Sequence, residues 1–169
     1  MDVWRNTAFA ALALCASCSP PEQTQGAAPE ALEADSAIVT EIVGVATISD
    51  GDTIRIGERR IRFDGVEAPR PRAMCGEANA YRAATDALRS VIRSNEVRCS
   101  IADLPADGQD VARCRVGETD LGAYMISNGW AREVAAESGG AYAEAQAEAR
   151  AARRGVWGMS CAASPWPAE

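Results

Sequence analysis

The residues best suited to chemistry lie between Asp50 and Arg70, in the run D-G-D-T-I-R-I-G-E-R-R-I-R-F-D-G-V-E-A-P-R. Asp50 and Asp52 flank a glycine, and Glu67 closes the segment with Ala68 and Pro69. Between them, Thr53 to Ile56 and Arg60 to Phe63 alternate apolar and polar residues around Gly57-Glu58-Arg59. That pattern predicts a β-hairpin. Acids then stand at both ends of a hairpin with Arg62 between them. Carboxylates hold a hard cation and a guanidinium holds a phosphate, so the set could grip both. The same residues would also make a plain polar hairpin with solvated charges.

Several elements must position this hairpin. Val39 to Ile48 is apolar and β-branched and reads as a first strand. A helix is expected from Cys75-Gly76-Glu77 to about Arg93, with Tyr81, Ala84, Leu88, Val91 and Ile92 on one stripe. Two strands follow near 96–101 and 111–116. Thr119 to Ser127 reads as a short helix with Leu121, Tyr124 and Met125 inward, stopped by Asn128-Gly129. Trp130 begins an extended piece. Ala141 to Arg154 reads as a third helix, with its acids early and its arginines late, as the helix dipole favours. Trp157 is expected to pack back on the core.

The chain has 169 residues and a formal charge of −7. There is no histidine, and every basic residue is arginine. Histidine base chemistry, histidine metal ligation and lysine Schiff bases are therefore excluded. Six arginines between Arg55 and Arg72 face five acids between Asp50 and Glu67, which allows an anionic partner without requiring one.

Residues 1–18 read as an export leader: Arg5, an apolar run from Ala8 to Leu14, then small residues. Leu14-Cys15-Ala16-Ser17-Cys18 resembles a lipoprotein lipobox, which would anchor Cys18 to a membrane through lipid and leave the protein on the periplasmic side of a bacterial envelope. Residues 19–38 are polar and rich in Pro, Ala and Glu, the composition of a disordered tether. Export permits disulfides among Cys75, Cys99, Cys114 and Cys161. Three pairings are open. Neighbouring strands would bring Cys99 to Cys114, leaving Cys75 for Cys161.

Three strands, a helix, two strands and two helices suggest a small Greek-key barrel with helices laid against it. The order of Asp50-Gly51-Asp52-Thr53, Arg62, G-V-E-A-P, L-G-A-Y-M-I-S-N-G-W-A and E-A-R-A-A-R-R-G-V-W resembles the thermonuclease, or staphylococcal nuclease-like, family. The resemblance covers residues 39–158 and leaves 159–169 as a tail. It implies a mainly β plus α fold, a five-stranded OB-fold barrel with three helices. It also implies a calcium-dependent nuclease acting on DNA or RNA as a monomer, without a nucleotide cofactor. The calcium ligands would fall at Asp52, Glu67 and the backbone carbonyl of Ala68, and a phosphate-binding arginine at Arg62.

Two positions depart from that pattern. Arg70 stands where the family has the glutamate that orients or deprotonates the attacking water. Gln109 stands where it has a second phosphate-binding arginine. A guanidinium cannot accept a proton at physiological pH. The family's pocket tyrosine after G-W-A is also missing; W-A-R-E-V-A-A offers alanines. The expectation is an exported domain with a degenerate site and a binding or structural role. The alternatives are an active calcium-dependent nuclease using Asp64 or Glu77 as base, and a periplasmic protein-interaction module. The direction of the Arg70 side chain is the open question: directed at the carboxylate pair, it would make an internal salt bridge that fills the metal's place.

Overall fold

The computed structural model describes residues 40–101 and 109–168. The leader, Cys18 and the tether fall outside the described residues. In chain order the elements are β1 (Thr40–Val45), β2 (Thr47–Ile48), β3 (Thr53–Ile56), β4 (Arg59–Phe63), β5 (Val66–Glu67), β6 (Met74–Cys75), β7 (Ala78–Asn79), α1 (Ala80–Ile92), β8 (Glu96–Ile101), β9 (Asp110–Val116), β10 (Thr119–Asp120), α2 (Leu121–Ser127), β11 (Arg132–Glu133), α3 (Ala135–Ser138) and α4 (Ala143–Ala151). A 3-10 turn (Gly155–Gly158) ends the series.

The main sheet runs β1-β8-β9-β4-β3-β2. β1 and β2 are two halves of one strand bent at the buried Ala46. One half pairs with β8 and the other with β3, so the five long segments curl into a barrel of the OB type. β4 and β9 lie parallel and the other pairings are antiparallel. The expected fold class holds. Alternation explains it: Ile54, Ile56, Ile61, Phe63, Val97, Cys99, Ile101, Ala112 and Cys114 all face inward. Helix α1 adds Ala84, Leu88 and Ile92, spaced one helical turn apart, and α2 adds Leu121, Met125 and Ile126.

Several local expectations are corrected. The β3–β4 turn is Gly57-Glu58 alone, because Arg59 already pairs with Ile56. The stretch after Cys75 is not helical. Met74–Cys75 and Ala78–Asn79 form a small hairpin around Gly76-Glu77, and α1 begins at Ala80. The cap decides that boundary: the Asn79 side chain accepts the Arg82 N–H at 3.0 Å. Thr119–Asp120 is extended and pairs with β9, and Asp120 caps α2 through the Ala123 N–H at 2.8 Å. There are four α-helices among the described residues, not three; α3 is the added one, a single turn after β11. On α2, Tyr124 is only half-buried, while Gly122 and Ile126 face the interior.

Both anticipated disulfides form, Cys99–Cys114 across the β8–β9 pair and Cys75–Cys161 to the C-terminal segment. Trp157 packs not on the barrel core but in a second cluster with Trp166, their ring centroids 5.1 Å apart. Gly129 joins the two clusters. Its φ is +74°, and a Cβ there would lie 2.2 Å from the Arg154 carbonyl oxygen. Only glycine permits both that backbone and that approach.

Candidate active site

The turn before β3 sets the first acid. Gly51 is buried, and a Cβ on it would stand 2.9 Å from the Cβ atoms of Ala68 and Ala84. A glycine thus lets the Asp50–Asp52 turn press against α1 and against the segment after β5. The Asp52 carboxylate then accepts the Ala68 N–H at 2.6 Å and the Thr53 hydroxyl at 2.7 Å. Asp50 accepts the Asp52 N–H at 3.3 Å.

Burial pushes the Asp52 carboxyl up from 3.8 to about 7, and hydrogen bonding and charge from Asp50 add to the rise. The Ala68 N–H and the Thr53 hydroxyl oppose it. Near neutral pH, Asp52 therefore sits close to half-protonated.

Glu67 is held differently. β5 pairs with β11 so that Glu67 faces Arg132 directly. The Arg132 Nε lies 2.5 Å from the Glu67 carboxylate, with about a fifth of each side chain exposed. Arg62, on β4, reaches Glu137 of α3 at 2.8 Å. Burial disfavours the Arg62 charge, but the bond to Glu137 and the charges of Glu137, Asp52 and Asp64 outweigh it, so the guanidinium holds its proton more tightly than usual.

Arg70 does not turn toward the carboxylates. Its N–H donates to the Pro165 carbonyl at 2.9 Å and its Nη1 to the Trp166 carbonyl at 3.2 Å. Arg70 is therefore not the residue beside the carboxylates: Arg132 neutralises Glu67, and the C-terminal segment holds Arg70. Gln109 is half-buried and immediately precedes β9. The β9 register is fixed opposite β8, with Cys99 facing Cys114 and Ser100 facing Arg113. Arg113 does not slip into the vacant arginine place; its Nε lies 3.6 Å from Asp64. Asp64 is thereby engaged, and Glu77 lies in the exposed β6–β7 turn.

Asp52 touches Ala68 through its N–H, Glu67 directly precedes Ala68, and Arg62 lies opposite Thr53, the neighbour of Asp52. Arg132 and Glu137 were missed. The signal lay in W-A-R-E-V-A-A-E, read only for its missing tyrosine, although it brings two charges complementary to Glu67 and Arg62.

These residues do not fit a calcium ion as arranged. Of the two carboxylates, Asp52 already accepts the Ala68 N–H and the Thr53 hydroxyl, and Glu67 is paired with the Arg132 guanidinium. Calcium needs six or more oxygens, several of them anionic. Among the described residues, no group of three or more histidine, cysteine, aspartate or glutamate side chains converges to hold a metal.

Comparison with known proteins bears on the same segment. The profile described as "Staphylococcal nuclease homologue" matches residues 60–159. The chain is 31% identical over 132 residues to the "Succinoglycan biosynthesis protein ExoI" of Rhizobium meliloti (strain 1021), covering 73% of this chain and 68% of that protein. The family is in general calcium-dependent. With the barrel, the placement of Asp52, Arg62 and Glu67 and these two matches in agreement, the chain belongs to the staphylococcal nuclease homologue family.

Proposed function

We propose that this chain is an exported nuclease-fold domain that binds or scaffolds and hydrolyses phosphodiesters weakly or not at all. The observation that carries the reading is Arg70. By its resemblance to the family motif it stands at the position of the water-activating carboxylate, and its guanidinium donates to the Trp166 carbonyl. Loss of a general base removes about 10²–10⁴ in rate. An absent charge at Gln109 removes a comparable factor from stabilisation of the developing dianion. The two losses act in one site and need not multiply.

The two ion pairs support the same conclusion. Glu137 takes the arginine that a phosphate would need, and Arg132 takes a carboxylate that a cation would need. The relative's name assigns it to succinoglycan biosynthesis, which supports a role other than nucleic-acid breakdown here. The lipobox-like leader and the Cys18 anchor would place the domain at the periplasmic face of a membrane.

Plasmid nicking with calcium tests the reading, comparing the native protein with the double variant Arg70→Glu, Gln109→Arg. The expected result is at least a tenfold gain in the double variant, a fraction of the roughly hundredfold that a restored general base supplies. A native rate that the double variant does not exceed would overturn it.

A further inference from the structure

The segment after the last turn is held at four points. Cys161 is bonded to Cys75. Trp166, 6% exposed, packs on Ala73, Cys75, Ala80 and Val156. Arg70 donates to the carbonyls of Pro165 and Trp166. The Arg132 Nη2 donates to the next carbonyl, that of Pro167, at 3.3 Å. Two arginines from separate elements thus converge on successive carbonyl oxygens of one strap. Arg132 can do so because a guanidinium carries five N–H donors: Nε donates to Glu67 and Nη2 to the strap.

A carbonyl is a neutral acceptor, and a guanidinium bonds an oxyanion considerably better. Glu67 pairs with Arg132, and the strap offers the Arg70 guanidinium a carbonyl, that of Trp166, rather than a carboxylate. We propose that Arg70 and Arg132 form a binding site for a phosphate-like oxyanion, its side-chain donors now occupied by the carbonyls of Trp166 and Pro167 of the same chain, with Cys75–Cys161 as the clasp. The strap's carbonyls stand where the ligand's oxygens would lie.

The clasp is selectively releasable. Cys99 and Cys114 are both sealed in the barrel core at 0% and 2% exposure, whereas in the other bond Cys75 is buried at 4% but Cys161 is only half-buried. A dithiol can reach Cys161 while the core bond stays covered. Its thiolate attacks the Cys161 sulfur and expels the Cys75 thiolate, which takes up a proton. The second thiol then attacks the mixed disulfide and frees Cys161. The dithiol loses two electrons and two protons, and the protein's cysteines gain them. The strap then keeps only weak bonds and one tryptophan, and its effective concentration over the two arginines falls.

The proposal rests on the geometry of the same cleft but not on the loss of hydrolysis, so nicking and binding results are read separately. Calorimetric titration with inorganic pyrophosphate tests it on four forms: the oxidised full chain, the full chain after dithiothreitol, Trp166→Ala, and a chain ending at Ser164 that keeps both disulfides. Circular dichroism checks that each is folded. The three released forms should bind at least tenfold more tightly than the oxidised full chain, and Arg70→Gln in the shortened chain should abolish the gain. Equal affinity in the oxidised, Trp166→Ala and shortened forms would overturn the site. A gain in the shortened chain with none after reduction would overturn the clasp.

Discussion

Replacing Asp52 with asparagine should abolish a fall in stability that the native protein shows between about pH 4 and pH 7. The native carboxyl binds its proton with a pKa of about 7, against 3.8 for the ordinary group. Below pH 4 both folded and unfolded chains carry the proton, and the site costs nothing. As pH rises, the unfolded chain releases the proton first, so stability falls with pH until the folded group also ionises. Above pH 7 the full cost is present. The difference is about three decades in proton affinity, each about 1.4 kcal/mol, so roughly 4 kcal/mol. The cause is chiefly burial, then the neighbouring Asp50. An amide keeps an oxygen for the Ala68 N–H and carries no charge. Urea midpoints measured from pH 4 to pH 8 should therefore decline for the native protein and stay level for Asp52→Asn. A native profile that is level, or that rises across this window, would contradict the burial argument.

Breaking the Arg132–Glu67 pair should cost about 3 kcal/mol when only one partner is removed. Each side chain is mostly buried, so truncating either leaves a charge without its counter-charge in a poorly solvated place. Removing both should cost less than the sum of the single changes, because no orphaned charge remains. A double-mutant cycle of Arg132→Ala, Glu67→Ala and the pair should return a coupling of about 1–3 kcal/mol. Additive losses would mean that Glu67 does not depend on Arg132, and the account of how its charge is spent would fail.

These results bear on what a sequence can disclose. The barrel was legible because its strands alternate strictly and its glycines mark turns: Ile54, Ile56, Ile61 and Phe63 all fell inward as the pattern demanded. The Cys99–Cys114 bond followed from two neighbouring strands, and the register places the two residues opposite each other. The helix start was misread because Cys75-Gly76-Glu77 has helical neighbours; only the Asn79 side chain, reaching the Arg82 N–H, marks the true boundary. Helix α3 was invisible because one turn is too short for a periodicity to register.

The site divides in the same way. Asp52, Arg62 and Glu67 stood out because a single hairpin segment carries them, and the family resemblance gave them roles. Their partners could not, since Arg132 lies 65 residues from Glu67 and Glu137 lies 75 residues from Arg62. The substitution at Arg70 was visible, but its consequence was not. An arginine beside two carboxylates suggests a salt bridge, and nothing local shows that the last residues of the chain would take it instead. The β5–β11 pairing and the Cys75–Cys161 bond are among the contacts that bring those distant residues to the site.

The central claim is that this barrel keeps the frame of a nuclease while its charges are committed to one another. The most direct measurement is the initial rate of plasmid nicking by the native, fully oxidised protein as calcium is raised from zero to millimolar. The account predicts a rate that is flat in calcium, at or barely above a protein-free control, and at least tenfold below that of the Arg70→Glu, Gln109→Arg variant. A rate that climbs with calcium and saturates, and that Asp52→Asn abolishes, would contradict it.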